Sequence, residues 1–422
     1  MKVENSINKL NVGRGASYCR GCNSSELFSA MDFGNLPIAN ELQIERHLNT
    51  ETFPLHLRIC KTCGLGQIGE TVPPERLFFD YRYRSSMSTT FNDHAKSFVE
   101  DAISKYQIDV KEDWILEIAS NDGYLLKHFQ EKGARVIGVE PSKNISAISE
   151  TIGINTINAF FSAELASHIV KTFGHPKLVI ANNVLAHVPN LLDFLEGLEL
   201  LASKDTIITI ENPSLINLSK DLQFDSVYHE HYSYLTAFAL NTILNQFSLS
   251  LAHVEKIDVH GGSNRYVLKR RRNSGSQSKE VKNLIRDELA SGLLEEEIWS
   301  RFREQVFAIS EDFHNFMYQM NKDTRRVLGY GAAAKASTLL NYSNIPSNWL
   351  MGIVDSNPEK IDRFMPTEMY PILSPEFAQH LKPTDVVIFP WNIKQELAKR
   401  IRQEFSYPID IWTVVPKIKK LQ

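Results

Sequence analysis

The sequence has 422 residues, 43% of them hydrophobic and 23% charged, a composition that excludes a disordered chain and a fibrous repeat. With 46 basic and 50 acidic residues and a formal net charge of −4, it gives no electrostatic reason to expect a nucleic-acid partner. The length predicts two or three domains. No segment reaches the roughly 20 consecutive apolar residues that cross a bilayer, and residues 1–15 are polar, so we expect no membrane contact, no signal peptide and a cytoplasmic protein.

The four cysteines come first in the chain and form two Cys-x-x-Cys pairs. They are Cys19, Cys22, Cys60 and Cys63. One such pair presents two thiolates to a metal, and two pairs supply a complete tetrahedral shell. Asn23 and Gly64 follow the pairs, and these residue types most readily adopt the positive φ that a metal knuckle needs. The sequence therefore predicts a structural Zn²⁺ site with no open position for catalysis. Disulfides are the alternative, which a cytoplasmic location disfavours.

A first α/β unit follows the proline pair at residues 73–74, which marks a domain boundary. Short apolar runs alternate there with helical stretches, as in βαβ units around a parallel sheet. The predicted strands are residues 114–119, 135–139, 178–181 and 206–210. Two later runs, 249–259 and 264–269, are only four residues apart and must form an antiparallel hairpin. One reversed strand at the end favours a class I methyltransferase sheet over an all-parallel dinucleotide-binding sheet.

The loop after the first predicted strand is acidic and contains one glycine. A strand-loop-helix junction of this kind is where open α/β sheets bind nucleotides. Glu117 and Asp122 disfavour a pyrophosphate, and they favour a ligand with a cationic head such as S-adenosylmethionine (SAM). Glu140, after the second strand, is placed to accept hydrogen bonds from ribose hydroxyls. A generic nucleotide fold or a nonfunctional α/β domain is the alternative. The predicted cofactor-binding residues are Glu117, Ala119, Ser120, Asn121, Gly123, Glu140, Pro141, Asn182 and Asn183.

A cluster of aromatic, histidine and acidic residues lies at residues 224–234, ahead of the hairpin. A hydrophobic core cannot satisfy so many polar groups at once. A histidine oriented by a neighbouring carboxylate or phenol is suited to removing a carbon-bound proton beside a carbonyl. The alternative is a polar helix N-terminus with metal-binding histidines. His229 and His231 are two residues apart and would diverge on a helix, which argues against a shared metal.

Residues 271–324 predict a charged helical connection, and a second α/β unit begins near residue 326. Its predicted elements are strand 327–330, helix 332–340, strand 350–354 and strand 385–389. Gly329-x-Gly331-x-x-Ala334, with Asp355 further on, also satisfies the dinucleotide fingerprint. Taken alone, this unit would indicate an NAD-dependent dehydrogenase.

Taken together, these motifs resemble the sugar C-methyltransferases that modify nucleotide-linked 4-keto-deoxyhexoses. The resemblance covers nearly the whole chain. It rests on both cysteine pairs with residues 32–40, on 117–123 with 184–188 and 228–231, and on 260–263 with 329–335. Ala119 departs from the pattern, since the family usually has glycine there. The family's α/β fold implies a zinc-binding domain at 1–75, a SAM-binding Rossmann-like methyltransferase domain at 76–270, and a helical connection with a second Rossmann-like domain that binds the nucleotide-sugar at 271–422.

The resemblance also implies a mechanism. The C4 ketone of the sugar acidifies the C3 hydrogen, which His231 would remove, and the enolate carbon would take the methyl group of SAM. Tyr228 and Glu230 match positions that polarise the ketone or orient the base, and Tyr81 or Tyr83 matches a pocket tyrosine. The implied substrate-binding residues are His187, His229, His260, Gly262, Ser263 and Lys335, the last near the phosphates.

Three alternatives to this function stay open at this point. They are an NAD-dependent sugar-nucleotide dehydrogenase, an O-methyltransferase that needs no enol-forming base, and a noncatalytic sugar-nucleotide binding protein. The expected partner is a small nucleotide-sugar, with no nucleic acid and no membrane. Three domains in one chain are enough to complete the site, so the prediction is compatible with a monomer. The nucleotide, the hexose and the stereochemistry at C3 do not follow from the sequence.

Overall fold

A computed structural model of the chain describes residues 17–46, 50–69, 72–78, 84–259, 261–273, 277–366 and 368–422. Its strands, in chain order, are β1 (Leu27–Pro37), β2 (Thr52–Cys60), β3 (Gly66–Ile68), β4 (Trp114–Ile118), β5 (Arg135–Val139), β6 (Asn155–Ile157), β7 (Leu178–Asn182), β8 (Ile207–Pro213), β9 (Ser233–Tyr234), β10 (Leu249–Ile257), β11 (Ser263–Arg270), β12 (Val327–Tyr330), β13 (Ile353–Val354), β14 (Ile372–Leu373), β15 (Asp385–Ile388), β16 (Asp410–Thr413) and β17 (Lys419–Leu421). Its α-helices are α1 (Pro74–Phe78), α2 (Thr89–Lys105), α3 (Leu126–Glu131), α4 (Lys143–Thr151), α5 (Ala163–Phe173), α6 (Leu191–Leu201), α7 (Leu215–Lys220), α8 (Ala237–Ile243), α9 (Lys279–Ala290), α10 (Glu296–Lys322), α11 (Ala334–Tyr342), α12 (Pro375–His380) and α13 (Lys394–Glu404).

The N-terminal sheet is antiparallel, with strand order β1-β2-β3-β9. Cys19 and Cys22 lie in the turn before β1, whereas Cys60 ends β2 and Cys63 lies in the turn that follows it. Asn23 and Gly64 have φ values of 61° and 72°, so the positive φ expected after each pair is confirmed. The fourth strand, β9, comes from far along the chain, directly after the histidine cluster. The zinc-binding part therefore supports the segment that carries His231.

The central sheet has the order β10-β11-β8-β7-β4-β5-β6. The strands from β4 to β8 are parallel, and β10 and β11 form an antiparallel hairpin, so both predictions are confirmed. Every residue of β4 and β7 is buried, because helices cover both faces of a parallel sheet. This order and the reversed strand are those of the predicted class I methyltransferase sheet. The three-residue strand β6 is too short to leave a periodic signal.

Helices α9 and α10 form the predicted connection, and the C-terminal sheet follows with the order β14-β13-β12-β15-β16-β17. It is parallel except for β17, so the second α/β unit is confirmed. The predicted strand at 350–354 is reduced to β13, and α11 begins at Ala334, because Ala333 is extended with φ −96° and ψ 162°. Within the described ranges, no helix combines the length and apolar composition needed to cross a bilayer.

One apolar cluster joins the N-terminal sheet, α10 and the C-terminal sheet. Trp299, Phe302 and Phe313 of α10 are buried in it together with Leu57 of β2 and Val387 of β15. These two sheets therefore share packing across the boundaries predicted near residues 75 and 270, and those boundaries stay a prediction.

Candidate active site

A cavity of about 620 Å³ lies at the carboxyl ends of the parallel strands. A volume of this size suits a small-molecule ligand. The loops after β4, β5, β7 and β8 line one side, and the loop after β12 with the start of α13 lines the other. The segment before α2 and the histidine cluster complete the wall. All three sheets thus contribute to one site.

The loop after β4 has an unusual backbone. Ala119, Asn121 and Gly123 have φ values of 57°, 50° and 79°. Positive φ costs a residue with a Cβ about 1–2 kcal/mol, which gives a physical reason for glycine at the position of Ala119. Glu140 stabilises this loop, since its carboxylate oxygens accept hydrogen bonds from the N–H groups of Asn121 and Ser142, each at 3.0 Å.

Six of the predicted cofactor-binding residues line the cavity: Ala119, Asn121, Glu140, Pro141, Asn182 and Asn183. The other three, Glu117, Ser120 and Gly123, do not line the cavity. Burial, and then the charges of Asp122 and Glu140, raise the pKa of Glu117 well above its usual value. The side-chain oxygen of Asn182 is buried without a partner among the described residues. Carboxyl and amide oxygens of this kind accept from hydroxyl and ammonium groups, so the residues present fit the SAM that the methyltransferase fold implies.

Hydrogen bonds orient His231 at the wall of the cavity. Its Nδ1 lies 3.0 Å from the carbonyl oxygen of Ser226. A carbonyl oxygen only accepts, so Nδ1 carries the proton and Nε2 presents its lone pair. The hydroxyl of Tyr228 lies 2.9 Å from Nε2, and the rings of His187 and Tyr234 lie 4.7 and 5.9 Å away between centroids. His231 therefore has its basic nitrogen beside a phenol at a ligand-sized cavity.

His187 and Glu230 support this arrangement from behind. His187, which lines the cavity, donates from Nδ1 to the carbonyl oxygen of Glu230 at 2.8 Å. Burial lowers the pKa of His187 to about 4, although that bond opposes the shift, so the ring is neutral at physiological pH. The buried carboxyl of Glu230 lies outside the cavity lining and accepts from the N–H and the side-chain amide of Asn40, at 3.1 and 3.0 Å.

Several predicted substrate-binding residues lie elsewhere. His229 is buried away from the cavity, where its Nε2 hydrogen-bonds the carbonyl oxygen of Phe53 at 3.2 Å. Gly262 and Ser263 also lie outside the lining. Gly262 has a φ of 101°, which favours glycine, and a Cβ there would also lie 1.9 Å from Asn217 Nδ2. Tyr81, Tyr83 and His260 lie outside the described residues.

Lys335 lines the cavity from the C-terminal unit. Its Nζ donates to the hydroxyl of Ser226 at 2.5 Å and lies 5.1 Å from the ring centroid of Trp391. Lys360 and Arg400 line the same side, where Lys360 donates to the carbonyl oxygen of Ala332 at 2.8 Å. This end of the cavity therefore carries three basic side chains.

The segment before α2 bridges the donor loop and the C-terminal unit. The N–H of Ser85 donates to the side chain of Asn121 at 2.9 Å. Arg84 forms an ion pair with Glu359, and the hydroxyl of Thr90 lies 2.5 Å from Glu396. These contacts, with Thr90 in the first turn of α2, link this part of the chain to the donor loop and to the C-terminal unit beside the cavity.

A cluster of charged residues at the end of β8 was not predicted from the sequence. Glu211 lines the cavity with His94, whose Nε2 lies 3.0 Å from the carboxylate, and Arg265 donates to the same carboxylate at 2.9 Å. Burial raises the pKa of Glu211, but His94 and Arg265 lower it further and leave it below the usual value. Glu211 directly follows a predicted strand, so the rule that led to Glu140 would have found it.

The four cysteines form one cluster. All four Sγ atoms lie within 4.8 Å of one another, with Cys19 and Cys63 at 3.5 Å and Cys22 and Cys60 at 3.6 Å. Zn–S bonds of about 2.3 Å in a tetrahedron place sulfur atoms about 3.8 Å apart. The thiolate set therefore fits a closed, structural zinc ion.

Three protein-family models match the chain. A zinc binding domain matches residues 19–78, a methyltransferase domain matches 91–254, and a C-methyltransferase C-terminal domain matches 258–416. A relative of similar length is C-methyltransferase NovU from Streptomyces niveus. It is 29% identical over 381 residues, which cover 90% of this chain and 90% of NovU.

Solved structures of methyltransferases are similar to part of the chain. A SAM dependent methyltransferase from Archaeoglobus fulgidus is 18% identical, with a TM-score of 0.32, over 39% of this chain and 73% of its own. Magnesium protoporphyrin IX methyltransferase from Synechocystis PCC 6803, with bound SAH, is 15% identical, with a TM-score of 0.34, over 42% of this chain and 83% of its own. The fold assignment itself rests on the sheet order and the family models.

Proposed function

We propose that this SAM-dependent methyltransferase, which matches family models of a zinc-binding, a methyltransferase and a C-methyltransferase C-terminal domain, methylates C3 of a nucleotide-linked 4-keto-deoxyhexose in deoxysugar biosynthesis. The observation that carries this proposal is the geometry of His231. Its Nε2, which bears the lone pair when Nδ1 holds the single ring proton, lies 2.9 Å from the hydroxyl of Tyr228 at the wall of the cavity. An O-methyltransferase needs no enol-forming base, but a histidine can also deprotonate a hydroxyl, so the products of the substrate panel below distinguish the two reactions.

The base acts on a carbon acid. Nε2 of His231 takes the C3 proton, and the electrons of the C–H bond pass into an enolate whose charge rests on the C4 oxygen. We propose that the hydroxyl of Tyr228, which lies beside Nε2, donates a hydrogen bond to the C4 oxygen. When bound, SAM supplies the electrophilic methyl group that C3 takes up as the S–CH₃ bond breaks, which restores the C4 ketone. Holding the reacting groups in line contributes roughly 7–11 kcal/mol.

The surrounding groups keep His231 in its reactive form. The carbonyl oxygen of Ser226 holds the proton on Nδ1, so Nε2 remains the basic nitrogen. The neutral ring of His187 packs 4.7 Å from it without adding a positive charge that would oppose protonation of the base. We assign Glu230 a positioning role, since its carboxyl group faces Asn40 rather than the cavity.

The two ends of the cavity suggest where each ligand lies. The oxygen-rich loops after β4, β5 and β7 suit the adenosine and methionine parts of SAM. The basic side chains Lys360 and Arg400, with the loop after β12, suit the diphosphate of a nucleotide-sugar. We therefore propose residues 76–270 as the donor domain and 271–422 as the nucleotide-sugar domain. Asp355 accepts from the N–H of Ala332 at 2.9 Å, so the acidic residue of the fingerprint holds its own loop.

Methyl transfer to a panel of nucleotide-sugars tests this function. The protein is incubated with S-(trideuteromethyl)-adenosylmethionine and nucleotide 4-keto-deoxyhexoses, beside the matching 4-hydroxy sugars. We expect a trideuteromethyl group only on the keto sugars, bonded to C3 in the NMR spectrum of the product. A methyl group on oxygen, or equal transfer to the 4-hydroxy sugars, would contradict the proposal.

A further inference from the structure

The segment that carries the base is held by the C-terminal unit at three consecutive residues. Trp391 Nε1 donates to the carboxyl of Asp225 at 2.8 Å. Lys335 Nζ donates to the hydroxyl of Ser226 at 2.5 Å, and the hydroxyl of Thr338 donates to the carbonyl oxygen of Val227 at 2.9 Å. The residues of this anchored segment, 225–227, are buried.

The middle residue of the anchored segment is also the one that orients His231. The backbone carbonyl of Ser226 accepts from Nδ1 of His231 at 3.0 Å, while its side chain accepts from Lys335. Two hydrogen bonds in series therefore join a lysine of the C-terminal unit to the imidazole that belongs to the central unit. A shift of Ser226 changes the bond that decides which nitrogen of His231 carries the proton.

The surroundings of Lys335 suit a positioning role. Its ammonium group already has a hydrogen-bond acceptor in Ser226, an aromatic face in Trp391, and the buried carboxyl of Asp225 nearby. Burial lowers the pKa of Lys335 and the charge of Asp225 opposes that shift. The ammonium group of Lys335 is thus held by contacts within the protein. Lys360 and Arg400 line the same cavity, but none of their described hydrogen bonds goes to the anchored segment.

We propose that Lys335 is a positioning residue for the general base: it holds Ser226, and through Ser226 it keeps His231 with its basic nitrogen facing the sugar. This inference rests on the proposed function, and it departs from the expectation that Lys335 serves the phosphates. The C-terminal unit then contributes to the chemical step as well as to binding.

The variants Lys335→Met and Ser226→Ala separate the two roles. In each we expect the rate of C3 hydrogen exchange to fall about 10–100-fold, as for loss of a hydrogen bond to a charged group. The dissociation constant of thymidine or uridine diphosphate, measured by calorimetry, should change less than about threefold, within the cost of one neutral hydrogen bond. Since both variants break one chain of contacts, the double variant should lose no more than the worse single one.

Lys399→Met is the matched control, because Lys399 is an exposed lysine of the same unit outside the cavity. Lys399→Met should catalyse C3 hydrogen exchange at the same rate as the unmodified protein. The proposal is overturned if Lys335→Met exchanges normally, if it weakens diphosphate binding more than tenfold at an unchanged exchange rate, or if the losses of the two single variants multiply.

A measurement without turnover keeps this inference separate from the proposed function. The ¹⁵N resonances of the His231 ring, assigned with His231→Gln, report its tautomer. We expect the Nδ1–H form in the unmodified protein, and a mixture of tautomers with a shifted titration midpoint in Lys335→Met and Ser226→Ala. Unchanged ring spectra in both variants would overturn the role of Lys335, whatever the substrate proves to be.

Discussion

Glu230 Oε1 accepts hydrogen bonds from both the backbone N–H and the side-chain amide of Asn40, at 3.1 and 3.0 Å, across 190 residues of sequence. Asn40 belongs to the N-terminal part, and Glu230 directly precedes His231. The carbonyl oxygen of Glu230 meanwhile accepts from His187. The residue before the proposed base therefore joins the zinc-binding part to the donor domain.

This buried carboxyl predicts a pH-dependent stability. Burial raises the pKa of Glu230 to about 7, against 4.5 for the exposed group. The folded protein therefore retains a proton that the unfolded chain releases, and the free energy of unfolding falls as pH rises from about 4.5 to about 7. Glu230→Gln does not titrate. Its stability relative to the unmodified protein should rise by roughly 1–3 kcal/mol between pH 5 and pH 8, measured by urea unfolding.

Glu288 supplies the control for that experiment. Burial also raises its pKa to about 7, and its carboxyl accepts from the N–H groups of Ala237 and Phe238, away from the cavity. Glu288→Gln should show a similar pH trend in stability and retain activity, whereas Glu230→Gln should lose activity. A pH-independent stability difference for Glu230→Gln would contradict the assignment.

Zinc should be essential for activity and stability, although the four cysteines that would bind it lie outside the cavity lining. The purified protein should contain about one zinc ion per chain, held by four thiolates. Chelation should lower the melting temperature and abolish methyl transfer, because β3 of the zinc-binding part pairs with β9, which follows His231. Added zinc should restore both properties. A zinc content near zero in an active protein would exclude this role.

Replacing Ala119 by glycine should stabilise the protein by about 1 kcal/mol, because it removes the strain of a Cβ at positive φ. SAM binding should be retained or improved. The control is Ala147→Gly at an exposed position of α4, which should destabilise by about 0.5–1 kcal/mol. Calorimetric melting of both variants checks this. A loss of stability in Ala119→Gly would show that the loop is not strained.

Arg265 should stabilise the fold through its buried ion pair with Glu211, in which the charged groups lie 2.9 Å apart. Arg265→Met leaves that carboxylate without its arginine and should cost about 3–5 kcal/mol near neutral pH. The paired carboxylate stabilises the fold above the unfolded pKa, and this contribution is lost as pH falls, so the deficit of the variant should shrink toward pH 4. The double variant Glu211→Gln, Arg265→Met should recover part of the loss. A deficit that stays constant with pH would contradict this pairing.

Local patterns predicted much of the fold. The four-cysteine cluster, the parallel strands from 114 onward, the reversed hairpin and the second α/β unit each have a signal within a few residues, such as a fixed cysteine spacing or a short apolar run. Strands β14 and β9 have two residues each and carry no such signal. Their presence depends on partners elsewhere in the chain.

The site was harder to predict, because its contacts also join residues that are far apart in the sequence. Strand-end position pointed to Glu140 and Asn182, since parallel strands bring their carboxyl ends to one edge. Bonds between distant parts, such as Lys335 with Ser226 or Asn40 with Glu230, depend on how three sheets pack. His229 illustrates the limit: it stands two residues before His231 in sequence, yet it is buried against Phe53 outside the cavity lining.

Hydrogen exchange at C3 tests the central claim most directly. A nucleotide-linked 4-keto-deoxyhexose is incubated in deuterium oxide with S-adenosylhomocysteine and either the unmodified protein or His231→Gln. The unmodified protein should incorporate deuterium at C3, and the variant should do so about 10²–10⁴-fold more slowly, the range for loss of a general base. Exchange at an equal rate in His231→Gln, with normal methyl transfer, would contradict the assignment of His231 as the base.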